Sequence, residues 1–242
     1  MENKTYSRAA AISGVSEGLR QYMIKVYNFM AAGLCLTAFT AYIIANTSLL
    51  RLFFSVNEMG QVVGMSGFGW LMLIAPLIMV FAFGWVANRG TSGQLQALFW
   101  GFSAIMGASL TPVLLAYTGA SVARVFLISA GTFGAMSIYG YTTKRDLSAL
   151  GSFLFMGLIG IILASIVNFF LQSPGVYYAV SFLGVGIFVG LTAFDTQRIR
   201  NMYMEADGSE MVTKKAIAGA LSLYLDFINM FIYLLRIIGD RR

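Results

Sequence analysis

Residues 216–238 read AIAGALSLYLDFINMFIYLLRII, an apolar stretch with the length of a membrane-spanning helix and an aspartate, Asp226, inside it. Small and polar residues recur along it at intervals of three or four and so share one helix face: Gly219, Ser222, Asp226, Asn229, Tyr233 and Arg236. Unpaired polar groups are costly against lipid. We therefore expect this face, the polar stripe, to line an internal cavity and the last helix to lie in the centre of a bundle. A structural alternative is that Ser222 and Asn229 only bond to neighbouring helices.

The composition is that of a membrane protein. Hydrophobic residues make up 58% of the 242 residues and charged residues 11%, against roughly 25% charged residues in soluble domains. Seven apolar stretches have about the length that a bilayer requires: 23–45, 70–87, 95–117, 122–141, 150–171, 177–198 and 216–238. The sequence predicts an all-α membrane protein with seven transmembrane helices. We expect a polar cytoplasmic tail over residues 1–21 and a single transmembrane domain over residues 22–242.

The residue types exclude several kinds of chemistry. The chain has no histidine and one cysteine, Cys35, so imidazole metal sites, histidine catalysis, histidine pH sensing and an internal disulfide are absent. An intramembrane aspartyl hydrolase would use a GxGD motif, and residues 190–195 do not fit it. We expect no enzyme and no cofactor.

The basic residues indicate the orientation in the membrane. Lys and Arg concentrate in cytoplasmic loops, which explains the net charge of +6 without a nucleic-acid partner. A cytoplasmic N-terminus assigns to that side Lys4, Arg8, Arg20, Lys25, Arg89, Lys144, Arg145, Arg198, Arg200, Lys214 and Lys215. The opposite side receives Arg51, Arg124, Arg241 and Arg242. The two C-terminal arginines oppose the rule, but we expect the last helix to cross.

A second aspartate, Asp195, closes the apolar stretch 179–194 within the sixth span. The polar turn 205–215 reverses the chain, and the midpoint between Asp195 and Asp226 falls inside that turn. In an antiparallel helical hairpin, the two carboxylates therefore lie at one depth. Two carboxylates in a desolvated site do not both ionise easily, so we expect the pair to titrate as a unit near neutral pH. Arg89, in a turn between two spans, is a topology signal or a counter-ion for this pair.

Four segments carry a resemblance to a known family: QYMIKVYNFM (21–30), GASLTP (107–112), AFDTQ (193–197) and LSLYLDFIN (221–229). Together they resemble the transmembrane Bax inhibitor motif family, in the form of a bacterial member. The resemblance implies seven helices with the last in the middle and a pH-sensitive calcium leak. It implies that Asp195 and Asp226 form the pH sensor and that Arg89 pairs with it in one state. An acidic residue that some members have in the second span has no counterpart in residues 70–87.

These arguments lead to a functional expectation with open alternatives. We expect a pH-sensitive calcium leak channel in the bacterial inner membrane, gated by Asp195, Asp226 and Arg89, with calcium and protons as its partners besides the lipid bilayer. Calcium prefers several oxygen ligands, so the two aspartates, with Asn229 or backbone carbonyls, form a weak calcium site. The alternatives are a non-conducting membrane regulator that acts through protein partners, and a proton-coupled cation exchanger.

Overall fold

The computed structural model describes residues 2–57, 59 and 62–242. Within them the elements follow in the order α1 (Glu2–Asn46), α2 (Leu50–Phe53), β1 (Phe54–Val56), β2 (Val62–Met65), α3 (Gly67–Arg89), α4 (Ser92–Ala116), α5 (Gly119–Thr142), α6 (Ser148–Leu171), α7 (Pro174–Asn201) and α8 (Ser209–Ile238). All of these helices except α2 are long and apolar enough to cross a membrane. The prediction of an all-α membrane protein with seven spans is confirmed. Since α1 begins at Glu2, the division at residue 21 stays a prediction.

Short polar turns with specific caps hold successive helices beside one another. Before α4, Thr91 Oγ1 accepts a hydrogen bond from Gln94 N at 3.3 Å, and Gln94 Oε1 accepts one from Thr91 N at 3.0 Å. This reciprocal capping satisfies backbone donors that have no partner within the helix. Before α7, Ser173 caps the helix and Pro174 supplies a backbone angle that suits its first turn.

The connection between the first two spans contains secondary structure. It holds α2 and the antiparallel strands β1 and β2, with Phe54 opposite Met65. Phe53 and Phe54 are buried against the end of α1. This burial attaches the connection to the end of α1.

The last span, α8, is enclosed on several sides. It packs against α1, α4, α5 and α7, and half of its most apolar stretch is buried, compared with 11% for α3 and for α6. Away from the polar stripe, Leu223, Tyr224 and Met230 are inaccessible to solvent. The Tyr224 hydroxyl lies 2.6 Å from Thr37 Oγ1 of α1. These contacts support the prediction that the last helix is central.

The ends of α8 lie at opposite ends of α4. At the first end, Glu210 Oε1 accepts a hydrogen bond from Ser92 N, at the start of α4. At the other end, Asp240 O accepts one from Thr118 N, just after α4. Since α8 runs the whole length of a spanning helix, it crosses the bundle completely, as expected despite the two C-terminal arginines.

Two spans lie at the periphery. The main helical neighbour of α3 is α4, and that of α6 is α7. Large apolar side chains on both are exposed, among them Leu77, Ile78 and Phe81 on α3 and Phe169 and Phe170 on α6. In a membrane protein such surfaces face lipid.

We predict that the buried faces of α8 are closed to a lipid-soluble thiol reagent. After exposed Cys35 is replaced by alanine, Leu223→Cys and Met230→Cys should remain unlabelled by a lipid-phase maleimide in native membranes. Phe182→Cys and Leu183→Cys, on the exposed face of α7, should be labelled. Quantitative labelling after unfolding in detergent is the control for reactivity. Labelling of positions 223 and 230 at the rate of positions 182 and 183 would show that α8 is not enclosed.

Candidate functional site: a buried aspartate pair

The site is built on the antiparallel hairpin of α7 and α8. Lys215 Nζ donates to Met202 O at 2.9 Å, and the rings of Phe188 and Tyr233 stack with their centroids 5.9 Å apart. Both contacts join residues that are symmetric about a point between residues 208 and 211. Asp195 and Asp226 are equally far along the chain from the same point in the turn. The register of the hairpin therefore places them at one level.

The structure brings these two aspartates together. Asp195, Ser222 and Asp226 line the same cavity, and the two carboxyl groups lie close enough to interact electrostatically. Asp226 is only 5% exposed, and its Oδ2 has no hydrogen-bond partner among the described residues. A buried carboxylate oxygen without a partner is unfavourable. Binding of a proton or a cation would therefore stabilise the Asp195–Asp226 pair.

One arginine stands close to the pair, and it is not the predicted one. Arg198 Nη1 lies 3.8 Å from Asp195 Oδ1, one helical turn further along α7, and its side chain is 60% exposed. Sequence analysis treated Arg198 as a topology signal only. The signal that would have found it is its spacing of three residues from Asp195, which places both side chains on one face of the helix.

Arg89 lies elsewhere in this structure. It ends α3, is exposed, and takes part in none of the ion pairs formed by the described side chains. The turn that follows it is nevertheless held to α8, because Lys214 Nζ donates to Gly90 O at 3.0 Å. Arg89 therefore lies at the hairpin's turn end of the bundle, and its pairing with an aspartate in another conformation stays a prediction.

The polar stripe faces a cleft. A cavity of about 710 Å³ lies along α6, α7 and α8, and its lining includes both aspartates and Arg198. Four residues of the stripe line it: Ser222, Asp226, Asn229 and Tyr233. The stripe thus faces a cavity, but α6 covers this cavity only in part, because Phe155 and Ile162 in its lining are exposed. Asn229 also donates to Leu225 O of its own helix at 2.8 Å, so the amide oxygen remains available.

The far end of the stripe is occupied by arginines and tyrosines. The Arg236 guanidinium lies 5.2 Å from the ring centroid of Tyr233 and 5.5 Å from that of Tyr177. Arg241 donates to the Tyr177 hydroxyl at 3.0 Å. These cation–π and hydrogen-bond contacts join α7, α8 and the C-terminus. Arg236 thus belongs to a different cluster from the aspartates.

The residues just after Asp195 attach α7 to its neighbours, a role that sequence analysis missed. Gln197 is buried; its Oε1 accepts from Leu147 N at 2.9 Å, and its Nε2 donates to Arg145 O at 2.8 Å. Arg200 donates to Tyr141 O at the end of α5. The α5–α6 turn is thereby fixed against α7 close to the aspartate pair.

Close helix packing also positions the pair. A Cβ at Gly151 would lie 2.5 Å from the Phe194 ring, and a Cβ at Gly184 would lie 2.7 Å from the Tyr233 ring. At Gly140 of α5 a Cβ would overlap the Ala193 backbone. The absence of side chains at these glycines lets α5, α6 and α8 approach α7 on both sides of Asp195.

The described residues contain no group of three or more His, Cys, Asp or Glu side chains that could hold a metal ion. Asp195 and Asp226 alone offer two carboxylates, fewer ligands than calcium takes in a stable site. The weak calcium site stays a prediction.

The fold and the site define a class of protein: an all-α membrane protein with seven spans that buries two aspartates between its last two helices. A family model described as "Inhibitor of apoptosis-promoting Bax1" matches residues 19–242. The chain therefore belongs to the Bax inhibitor family, and the predicted family is confirmed.

Bacterial relatives match nearly the whole chain. Inner membrane protein YbhL of Escherichia coli (strain K12) is 44% identical over 239 residues, which cover 98% of this chain and 99% of the relative. A protein of Rickettsia prowazekii (strain Madrid E) is 44% identical and covers 99% of this chain and 98% of its own. A protein of Caulobacter vibrioides is 41% identical over 247 residues, 99% of this chain and 98% of its own.

We predict that Gln197→Ala destabilises the protein by about 1–3 kcal/mol, because Leu147 N and Arg145 O would lose their buried partner. Thermal unfolding in detergent, followed by circular dichroism, measures this change. Gln21→Ala is the matched control, because exposed Gln21 bonds only to Glu17 of its own helix. Equal unfolding temperatures for the two variants would show that Gln197 does not hold the α5–α6 turn.

Proposed function

We propose that this protein is a pH-sensitive cation leak of the bacterial inner membrane, with calcium as the permeant ion and with a cytoplasmic N-terminus. One observation carries the proposal: Asp195 and Asp226, on neighbouring helices, line one cleft, and Asp226 Oδ2 is buried without a hydrogen-bond partner among the described residues. The inner-membrane location is carried over from the Escherichia coli relative, which is described as an inner membrane protein. No enzymatic activity is proposed.

The proton-dependent part of the proposal follows from the charges at the pair. With one shared proton, the two aspartates carry one negative charge, which Arg198 balances. Without that proton they carry two, and the site has an excess of one negative charge in a poorly solvated bundle, where charges interact strongly. Deprotonation therefore favours either separation of α7 and α8 or the arrival of a cation.

The cation that arrives need not be held tightly. Calcium prefers six to eight oxygen ligands, whereas the pair supplies two carboxylates, with Ser222 and Asn229 nearby on the same stripe. A site with few ligands binds weakly and releases readily, which suits passage through the protein. Calcium rather than another cation is suggested by the family resemblance.

Arg89 is proposed as the group that responds to the change of charge. Its guanidinium stays charged at all physiological pH values, and it attracts an ionised carboxylate more strongly than a protonated one. Its helix, α3, is peripheral and packs chiefly against α4, so a displacement breaks few helix contacts. Deprotonation of the pair should favour a conformation in which Arg89 reaches an aspartate, and we propose that this conformation opens the path.

The first functional test is calcium flux into liposomes that contain only the purified protein. We predict that flux rises with pH and that Asp195→Asn or Asp226→Asn flattens this dependence, because the pair can no longer exchange a shared proton. Asp146→Asn is the matched control. Asp146 is exposed, and hydrogen bonds from the Ser148 hydroxyl and backbone lower its pKa, so it remains ionised over the tested range.

The same experiment separates the alternatives. Flux that requires an opposing proton gradient would support a proton-coupled exchanger instead, and the absence of flux would support a non-conducting regulator. A pH profile like that of the wild type in both asparagine variants would show that the pair is not the sensor.

A second functional prediction separates the two arginines. In Arg198→Gln, the pH of half-maximal flux should rise, because a positive charge 3.8 Å from Asp195 no longer favours the ionised pair. In Arg89→Ala, flux at high pH should fall because the open conformation loses its ion pair, and the midpoint should also rise. An unchanged profile in Arg89→Ala would reduce Arg89 to a topology signal, and in that case Arg198 would be the only arginine that acts on the pair.

A further inference from the structure

The cleft beside the aspartate pair opens on the side of the bundle. It runs between α6 and α8, with α7 as its floor, because α6 packs chiefly against α7 while α8 packs against α1, α4, α5 and α7. Phe155 and Ile162 of α6 line the cleft and are also exposed. Since exposed apolar side chains of a spanning helix face lipid, the mouth of the cleft opens toward the bilayer.

The cleft is long and has a charged end and an apolar end. On α6 its lining extends from Gly151 to Ile162, which corresponds to about 16 Å along a helix. Gly151 packs against Phe194, so the aspartates lie beside the beginning of this range. Beyond them Phe155, Leu158 and Ile162 of α6 form an apolar wall, and Asn229 and the ring of Tyr233 form the opposite wall on α8.

The charged end has one positive side chain, Arg198, for two aspartates. Asp226 is about nineteen-twentieths buried, and its Oδ2 has no hydrogen-bond partner among the described residues. The charged side chains among the described lining residues are Asp195, Asp226 and Arg198, and the residues of α6 in the lining are uncharged. When both aspartates are ionised, the site therefore accepts one further positive charge.

We propose that this cleft is a binding site for a long-chain primary amine, with the ammonium group at the Asp195–Asp226 pair and the alkyl chain between α6 and α8. An ammonium ion donates charge-assisted hydrogen bonds, which suit the free Oδ2. The chain covers apolar side chains and reaches the cleft from the bilayer. An anionic amphiphile of the same length would meet two carboxylates and is excluded. This binding does not depend on ion conduction and goes beyond the proposed leak.

The experiment uses photolabelling of the full-length protein in lipid nanodiscs. The probe is dodecylamine with a diazirine in its chain, and the matched probe is dodecanol with the same diazirine. We expect the amine to label peptides of α6 and α8 that line the cleft, unlabelled dodecylamine to compete, and the alcohol to label these peptides at least about tenfold less, because one charge-assisted contact is worth a factor of that order.

Two kinds of variant locate the site. Asp226→Asn should lower labelling by about tenfold, because the anionic partner is removed. Ile162→Trp should lower it by filling the apolar end of the cleft. Ile159→Trp is the matched control on the same helix: Ile159 and Ile162 are both 48% exposed, but Ile159 is not part of the cleft lining, so its labelling should stay at the wild-type level.

Several results would overturn the proposal. Equal labelling by the alcohol would mean that the cleft holds an acyl chain without regard to charge. Undiminished labelling of Asp226→Asn, or equal labelling of the two tryptophan variants, would mean that the amine binds elsewhere. If a variant does not fold, the wild-type protein still tests the proposal. Lack of competition by unlabelled dodecylamine, or labelled peptides outside the cleft lining of α6 and α8, would contradict it. Since labelling requires no flux, a protein that labels but does not conduct would contradict the proposed leak and leave this inference intact.

Discussion

The burial of Asp226 is the constraint on which the arrangement of the helices depends. A carboxylate in the interior of a helix bundle is strongly unfavourable unless it shares a proton or meets a positive charge. Here it lies on the most enclosed of the spans and is itself only 5% exposed. The hairpin register brings Asp195 to the same level, and one turn later Arg198 supplies a positive charge. The remaining contacts of α7 and α8 keep this pair in place.

The parts of the bundle differ in how firmly they are attached. The bonds of Gln197 and the glycine contacts hold α5, α6 and α7 together around the site, and contacts at both of its ends hold α8 along α4. In contrast, α3 packs chiefly against α4 and exposes much of its apolar surface. In the proposed mechanism, a change of charge at the aspartates displaces α3 relative to the closely packed helices α5, α6 and α7.

Much of this was predictable from the sequence, for physical reasons. The spans follow from hydropathy, and the meeting of Asp195 with Asp226 follows from their symmetry about a polar turn, because an antiparallel hairpin has few other registers. The opening of the cleft between α6 and α8, the anchoring by Gln197 and the strand pair β1–β2 did not follow. They depend on which helices are neighbours across the bundle, as in the packing of Gly151 on Phe194, and no periodicity within one segment encodes that. The proximity of Arg198 to Asp195 could have been predicted, because a spacing of three residues on one helix can be read from the sequence.

The central claim is that Asp195 and Asp226 share one exchangeable proton. Infrared difference spectroscopy of the protein in lipid, recorded during a pH titration, tests it directly, because a protonated carboxyl group has a carbonyl stretching band that a carboxylate lacks. The account predicts the loss of one such band in a single step near neutral pH, and a changed titration in Asp195→Asn and in Asp226→Asn. A spectrum without any protonated carboxyl band over this range, or a band that both variants retain unchanged, would contradict it.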